Sequence, residues 1–359
     1  MSEEIYNRLA KVLDTLPNGF PATESGIEIR LLKRIFRPED AELFCELRLS
    51  FETTEQIAQR TNRPLEGLED HLKEMARRGQ IMMVDLGSAK LFRMMPWVFG
   101  IFEFQLPHLD RDLAEMSQEY NPAYAKQFFL NKPQLMQVVP IQRQIPVNQM
   151  TLPYEQVSSI IENGQAFLVN ECICKKEQGL LDHPCSKPVE VCLAIAPIQG
   201  IFDKARTGRA ITKAEAYEVL RRSEEAGMVH LTSNVESGHF YICNCCGCCC
   251  GVLRALKGLN YPQAVNSHFY AEIDPDKCAL CGLCREERCQ IDAIVEDENT
   301  YRVIKDRCIG CGLCATTCPS EAIRLVRKPL EEITSPPKDE MSWYEERARQ
   351  RGVDFSAYK

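Results

Sequence analysis

The chain has 359 residues, 45% of them hydrophobic, enough apolar mass for two or three domains with cores of their own. Its formal net charge of −8 denies it the basic footprint that non-specific nucleic-acid binding requires. It shows no apolar run of membrane-spanning length, no N-terminal apolar leader and no twin-arginine signal. Nineteen cysteines, of which only Cys45 precedes residue 172, fit a cytoplasmic protein with reduced thiols better than a disulfide framework.

In chain order, Ile5, Leu9, Val12, Leu13 and Leu16 predict an opening helix that Pro17-Asn18-Gly19 breaks. Ile27, Leu31, Leu32 and Ile35 mark a second helix ended by Pro38, and Leu43, Phe44 and Leu47 a third. Cys45, inside that helix without a cysteine neighbour, reads as a small packed residue. Thr53-x-x-Gln56 is a capping box for a helix through Ile57 and Ala58. Pro64 is expected to start another helix, carrying Leu65, Leu68, Leu72 and Met75 and closed by Gly79. Residues 81–84 and 90–94, around Asp85-Leu86-Gly87, predict a hairpin. Helices followed by a hairpin look like a winged helix, a module that either binds DNA or docks protein. Its recognition helix would carry Glu66, Glu69, Asp70 and Glu74 against Lys73, Arg77 and Arg78. That is a poor phosphate-facing surface and argues for protein docking.

Residues 107–150 read as a connector: 109–130 partly helical and interrupted by Pro122, then 138–150 extended around Pro140 and Pro146. A helix over 153–163 and a strand over 166–169 follow. That strand delivers Cys172-x-Cys174, and Cys185 and Cys192 come next. These four could form one four-ligand set. Thr212-x-x-Glu215 caps a further helix that ends at Gly227. Residues 228–231 and 239–242 form a second hairpin leading into Cys243-Asn-Cys245-Cys246-Gly-Cys248-Cys249-Cys250. Ten thiols in one acidic domain point to metal or cluster binding, because unpaired thiols are a liability. A zinc site or a redox disulfide switch are the competing readings. Side chains alternate along an extended chain, so adjacent cysteines such as Cys245 and Cys246 can serve different centres. Ten ligands suffice for two four-ligand clusters or for one larger cluster.

Residues 278–319 carry the most specific pattern: Cys278-x2-Cys281-x2-Cys284-x4-Cys289, then Cys308-x2-Cys311-x2-Cys314-x3-Cys318-Pro319. Soft thiolates at this spacing suit iron–sulfur clusters. In such runs the fourth cysteine ligates the other cluster. Cys278, Cys281, Cys284 and Cys318 therefore form one expected [4Fe–4S] set, and Cys308, Cys311, Cys314 and Cys289 the second. The halves repeat: Asp276-Lys277-Cys278 matches Asp306-Arg307-Cys308, Gly282-Leu283-Cys284 matches Gly312-Leu313-Cys314, and Asp292-Ala293-Ile294 matches Glu321-Ala322-Ile323. Each half is expected to be a strand, a cysteine loop and a short helix about a pseudo-twofold axis. Zinc sites use cysteine pairs rather than two runs of four, and no C-x-x-C-H stands for haem.

Over about residues 272–327 the chain resembles bacterial-type two-cluster ferredoxins. It departs from them in the four residues before Cys289, where three are usual, and in Gln290, where proline is usual. The expectation is a looser loop with its cluster retained. Cys245-Cys246-Gly247 is similar to a fragment of the cysteine-rich subunits of heterodisulfide reductases, without their upstream cysteine. The whole chain looks like a group of anaerobe iron–sulfur proteins that share the 243–250 run and a winged-helix front, a likeness that names no substrate.

His183, His230, His239 and His268 lie near cysteine stretches and could replace a thiolate, but each is more readily a hydrogen-bonding residue. No dinucleotide fingerprint, P-loop or nucleophile elbow is present. The polar tail from Pro329, with Trp343, Tyr344, Phe355 and Tyr358, is either laid over its own domain or a docking arm.

The expected fold class is α+β. A winged-helix-like helical domain spans 1–106, the connector 107–150, a cysteine-rich α+β domain 151–268, a ferredoxin-like two-cluster domain 269–328 and the tail 329–359. The expected function is multi-cluster electron transfer to or from a redox protein or oxidoreductase complex. Two [4Fe–4S] clusters would sit in the ferredoxin part and one or two further iron–sulfur clusters in the middle. A redox-sensing winged-helix regulator and a reductase with a catalytic middle-domain cluster are the alternatives.

Overall fold

A computed structural model describes residues 2–141, 145, 152–205, 207–259 and 264–359. Of the extended segment expected across 138–150, residues 142–144 and 146–150 lie outside the described residues, as do 260–263. Helices and strands are mixed, as the α+β class requires, and the chain divides into two compact units.

The first unit comprises Met1–Asn131, Gly179–His183 and Tyr344–Lys359. Helices α1 (Ser2–Thr15), α2 (Ile27–Ile35) and α3 (Pro38–Phe44) bury Leu9, Leu13, Leu31, Leu32 and Phe44. The apolar faces expected from their periodicity are the buried ones. Cys45 ends α3, buried, and burial pushes its thiol up to about 11. Strand β1 (Glu52–Thr53), helices α4 (Thr54–Thr61) and α5 (Leu68–Arg77), and strands β2 (Met82–Asp85) and β3 (Lys90–Arg93) follow. The strands form an antiparallel sheet in the order β1–β3–β2. Thr53 and Gln56 form the capping box, with bonds of 3.3 and 2.8 Å. Helix α5 starts at Leu68 behind a left-handed Gly67, so Leu65 lies in the preceding turn and is exposed rather than packed.

After the short helix α6 (Phe102–Phe104), α7 (Arg111–Leu130) runs through Pro122 without a break. Asp110 caps its first turn by accepting from the Leu113 N–H at 2.9 Å. Tyr120, Tyr124 and Phe128 then line one face, with Tyr120 packed against Phe20 and Trp97 at centroid distances of 4.9 and 6.1 Å. This aromatic packing outweighs the hydrogen bond that proline removes from the helix.

The second unit comprises Lys132–Gln178 and Pro184–Trp343. Its elements are β4 (Met136–Val138), α8 (Val157–Glu162), β5 (Ala166–Glu171), α9 (Ile173–Leu180), β6 (Glu190–Ala196), β7 (Arg209–Ile211), α10 (Lys213–Glu225), β8 (Val229–Ser233), β9 (Tyr241–Cys245), α11 (Gly251–Leu259) and β10 (Val265–Asn266). Seven strands form one sheet in the order β10–β4–β8–β9–β6–β5–β7. Helices α8 and α10 cover its core, built from Ile160, Phe167, Val169, Leu193, Val219, Leu220 and Ile242. Four more strands belong to the same unit: β11 (Phe269–Ile273), β12 (Ile294–Asp297), β13 (Thr300–Val303) and β14 (Ile323–Arg327). They pair antiparallel as β11–β14 and β12–β13. Buried Glu155 joins this part to the region before α8, holding Arg327 at 2.9 Å and His268 at 2.5 Å.

The compact units therefore cut the chain differently from the sequence boundaries. The stretch 107–150 is divided, because α7 packs in the first unit while β4 enters the seven-stranded sheet of the second. The tail forms α12 (Glu340–Arg351), and its residues from Tyr344 onward belong to the first unit. Arg347, 1% exposed, stacks on the Phe128 ring at 4.8 Å and donates to the carbonyls of Phe128 and Asn131. Arg351 donates to the Leu16 carbonyl and pairs with Asp14 at 3.0 Å. From Tyr344 onward the tail thus packs on helices of the first unit, to which it belongs. Replacing Arg347 with Ala leaves the buried Phe128 carbonyl and the half-buried Asn131 carbonyl without this donor, a loss of about 1–3 kcal/mol. Limited proteolysis should then cut within 340–351 faster than in the parent protein, and an unchanged digestion pattern counts against this anchoring role.

Candidate metal centres

The repeat in the C-terminal part of the second unit is visible in the backbone. Leu280 and Gly310 take φ of 54° and 60°, Gly282 and Gly312 78° and 83°, and Asp292 and Glu321 55° and 50°. These left-handed positions aim N–H groups at sulfur. The N–H groups of Ala293 and Ala322 donate to Cys289 and Cys318 at 3.1 and 3.2 Å, and that of Ala271 to Cys308 at 3.3 Å. The extra residue of the first half is absorbed locally. Cys284–Arg288 forms a wide helical turn in which the Cys289 N–H donates to the Cys284 carbonyl at 3.0 Å. The second half closes with a tighter 3₁₀ turn over Ala315–Thr317. Beyond these turns the two halves match again, so the loop is wider yet still ordered by its own hydrogen bond.

Cys278, Cys281, Cys284 and Cys318 line one pocket together with Ile273, Tyr301 and Ile323. The charge of Cys289 bears instead on Cys308, Cys311 and Cys314. Burial pushes Cys284 up to about 11, Cys311 up to about 12 and Cys314 well above an ordinary thiol. At Cys278 burial works the same way, but the N–H groups of Leu280 and Tyr301 bring its pKa below the usual value. Thiolates placed like this need a cation beside them.

The ten middle cysteines fall into two groups. Cys185, Cys246, Cys248 and Cys249 place their sulfurs within 4.8 Å of one another. Cys185 lies 3.8 Å from Cys246 and 3.6 Å from Cys248, Cys248 lies 3.3 Å from Cys246, and Cys249 lies 3.6 Å from Cys248. The bond from Cys249 brings the Cys246 pKa down to about 5, while burial raises Cys248 to about 11. Cys185 thus joins the 246–249 turn and not Cys172, Cys174 and Cys192, with which it could have formed a set by sequence order.

The other six follow from strand alternation. In β6 and β9, Leu193, Ile195 and Ile242 face the core, so Cys192, Cys243 and Cys245 project from the opposite face. Leu193 pairs with Ile242, and the same register continued by one residue sets Cys192 beside Cys243. The ends of two helices supply the rest: Cys172 and Cys174 at the start of α9, and Cys250 ahead of α11. Neighbours are hydrogen-bonded in the order Cys174, Cys172, Cys192, Cys243, Cys245 and Cys250, and the charge of Cys250 bears back on Cys174, which makes the six a circuit. Hydrogen bonds from Cys174 and Cys192 favour the thiolate of Cys172, and the other five are pushed up by their neighbours and by burial.

Sequence reasoning missed Lys175. It is 3% exposed, and its ammonium donates to the Met228 sulfur at 3.2 Å. Burial opposes its charge, but Cys172, Cys246, Cys245 and Cys192 together hold its pKa above the usual lysine value. Its place directly after Cys172-x-Cys174 was the available signal. The histidines are hydrogen-bonded: His230 to Asn244 at 2.5 Å, His268 to Glu155, and His239 near Thr232 and Ser233 at 3.3 Å each. His183 is an exposed residue of the first unit. None of the four belongs to a thiol group among the described residues.

The four-thiol turn meets the C-terminal part at Gly247. Its N–H donates to the Gln290 side-chain oxygen at 2.9 Å, and a Cβ there would lie 2.0 Å from the Gln290 carbonyl oxygen. Buried Arg288 adds a second tie, donating to the Glu224 and Glu225 carbonyls at the end of α10 at 2.8 and 2.9 Å.

Residues 271–325 match the family model of the 4Fe-4S dicluster domain. The chain is 40% identical over 57 residues to pyruvate synthase subunit PorD of Methanocaldococcus jannaschii, covering 16% of this chain and 65% of that protein. It is 30% identical over 94 residues to an uncharacterized ferredoxin of the same organism, covering 26% and 58%. It is also 58% identical over 26 residues to F(420)H(2) dehydrogenase subunit I of Methanosarcina mazei, covering 7% and 15%. The chain thus spans less than two thirds of the length of these relatives, and no solved structure matches it. An iron–sulfur ferredoxin-type domain is therefore present, and the thiol sets of the second unit support iron–sulfur clusters as its cofactors.

Replacing Gly247 with Ala drives a Cβ into backbone and should destabilise the second unit by about 1–3 kcal/mol. Gln290→Ala, which removes one hydrogen bond, should do less. Urea unfolding of both variants under anaerobic conditions measures the difference, and equal effects would contradict the steric origin.

Proposed function

We propose that the chain is a multi-cluster electron-transfer protein that passes single electrons to or from a partner oxidoreductase. The supporting observation is the exchange between the repeat halves: Cys318 of the second motif lines the pocket of Cys278, Cys281 and Cys284. Cys289 of the first motif bears on Cys308, Cys311 and Cys314. Bound at these thiols, [4Fe–4S] clusters supply one-electron chemistry. The chain's own residues then set its terms. The N–H groups of Ala271, Ala293 and Ala322 stabilise charge on the sulfurs they reach, and Ile273, Tyr301 and Ile323 limit the approach of water. Gly247 lies against Gln290, one residue after Cys289, and this contact supports a route from the second set to the middle thiols. Further clusters there would extend the route.

The first unit fits a protein-docking module of winged-helix type better than a DNA reader. On α5 and just beyond it, Lys73 pairs with Glu69 at 2.5 Å and Asp70 at 3.3 Å, Arg77 with Glu74 at 2.6 Å, and Arg78 with Glu74 at 2.9 Å. Bases held by acids of their own helix must give up those partners to meet phosphate, which weakens the electrostatic gain that DNA binding requires. Mobility shifts with genomic fragments should show no salt-sensitive complex in either cluster oxidation state. A complex that weakens with salt and changes on oxidation would favour the redox-sensing regulator instead.

Replacing Cys318 with Ala should damage the centre of the first motif, although Cys318 belongs to the second. Replacing Cys308 with Ala should damage the other centre. Paramagnetic resonance of the reduced variants should therefore lose two different signals. Loss of the same signal in both would mean that each motif ligates its own cluster.

A further inference from the structure

We propose that the six-thiol circuit of Cys172, Cys174, Cys192, Cys243, Cys245 and Cys250 is one binding site for a single iron–sulfur centre larger than a four-iron cube. The inference rests on the iron–sulfur reading above and adds the class of centre. The four-thiol group has its own compact site, and the circuit shares no sulfur with it. Side-chain alternation separates them where they touch in sequence, since Cys245 turns to the circuit and Cys246 to the four-thiol group.

Ligand number decides what the circuit takes. A cube with four corner irons is satisfied by four thiolates, so two of the six would be left over. Two separate cubes would need eight. Six thiolates satisfy two four-iron halves that each take three and share one bridging sulfide at the remaining corner. The circuit divides in that way: Cys172-x-Cys174 with Cys192 forms one run of neighbours, and Cys243-x-Cys245 with Cys250 the other. Each run is a C-x-C pair plus one distant cysteine.

Lys175 is the independent observation. A buried ammonium requires an anion, and no carboxylate is paired with Lys175 among the described residues. Its buried ammonium donates to the neutral Met228 sulfur at 3.2 Å, and the anionic groups that act on it are Cys172, Cys192 and Cys245 of the circuit and Cys246 of the four-thiol group. Anionic centres at these thiols account for a cation buried beside them.

Iron, sulfide and zinc should be measured on the anaerobically purified full chain. Eight irons for the ferredoxin part, four for the four-thiol group and eight for the circuit give about 20 per chain, against about 16 for an ordinary cube in the circuit. Cys192→Ser and Cys243→Ser, one from each run, should perturb the same Mössbauer and paramagnetic-resonance signal. Cys246→Ser should perturb a different one. Lys175→Met should shift the reduction potential of the circuit's signal to a more negative value, and Lys175→Arg should restore it in part. About 16 irons, zinc bridged between the six thiolates, or separate signals lost in Cys192→Ser and Cys243→Ser would each overturn the proposal. Those results would leave the ferredoxin signals intact, whereas the Cys318→Ala and Cys308→Ala comparison tests the electron-transfer reading without touching the circuit.

Discussion

A thiolate cannot be buried without a cation against it, and most of the second unit is arranged around that constraint. Eighteen of the nineteen cysteines lie from residue 172 onward; neighbouring thiols and burial raise Cys250, and burial foremost raises Cys284, Cys311 and Cys314. Backbone N–H groups offset part of this in the ferredoxin-type domain, and Lys175 does so among the thiols of residues 172–250. The folding of this region and the loading of its metal sites are thus one linked equilibrium. The first unit buries a single cysteine, Cys45, which as a neutral packed thiol needs no such partner.

How much of this was legible in the sequence depended on how local the signal was. The ferredoxin pattern is local: its spacing marks the cysteines, and the repeated residues Gly282/Gly312 and Asp292/Glu321 are the ones that take matching left-handed φ values in the two halves. The capping boxes at Thr53 and Thr212 are equally local and form as read. The middle cysteines are not local. Their partition follows from which strand faces the core, and Cys192 meets Cys243 only because β6 pairs with β9. Cys243-x-Cys245 did carry the period of a strand, and the possibility that Cys245 and Cys246 serve different centres was readable from alternation alone. The place of Cys185 was not, since it depends on where the chain returns before β6.

Pro122 reads in the sequence as an interruption, and the chain after Pro329 reads equally as a tail laid over its own domain or as a docking arm, because local propensity is silent about tertiary partners. In the structure, Tyr120, Tyr124 and Phe128 of α7 carry the helix through its proline, and Arg347 of α12 stacks on that same Phe128. Once the aromatic face of α7 is fixed, it supplies the surface on which the C-terminal helix folds.

The two departures from the ferredoxin pattern have a common physical explanation. The extra residue before Cys289 widens the turn over Cys284–Arg288, and Arg288 reaches the carbonyls that end α10. Lacking intrahelical partners, those carbonyls form the negative end of the helix, where a guanidinium is stabilised. The residue after Cys289 is Gln290, whose side-chain oxygen accepts the Gly247 N–H. A proline at 290 offers no side-chain acceptor, and the Gly247 N–H would lose that partner. The departures therefore lie on the face that the ferredoxin-type domain turns toward the cysteine-rich part of its own unit. A free-standing ferredoxin has no neighbour there and no use for either change.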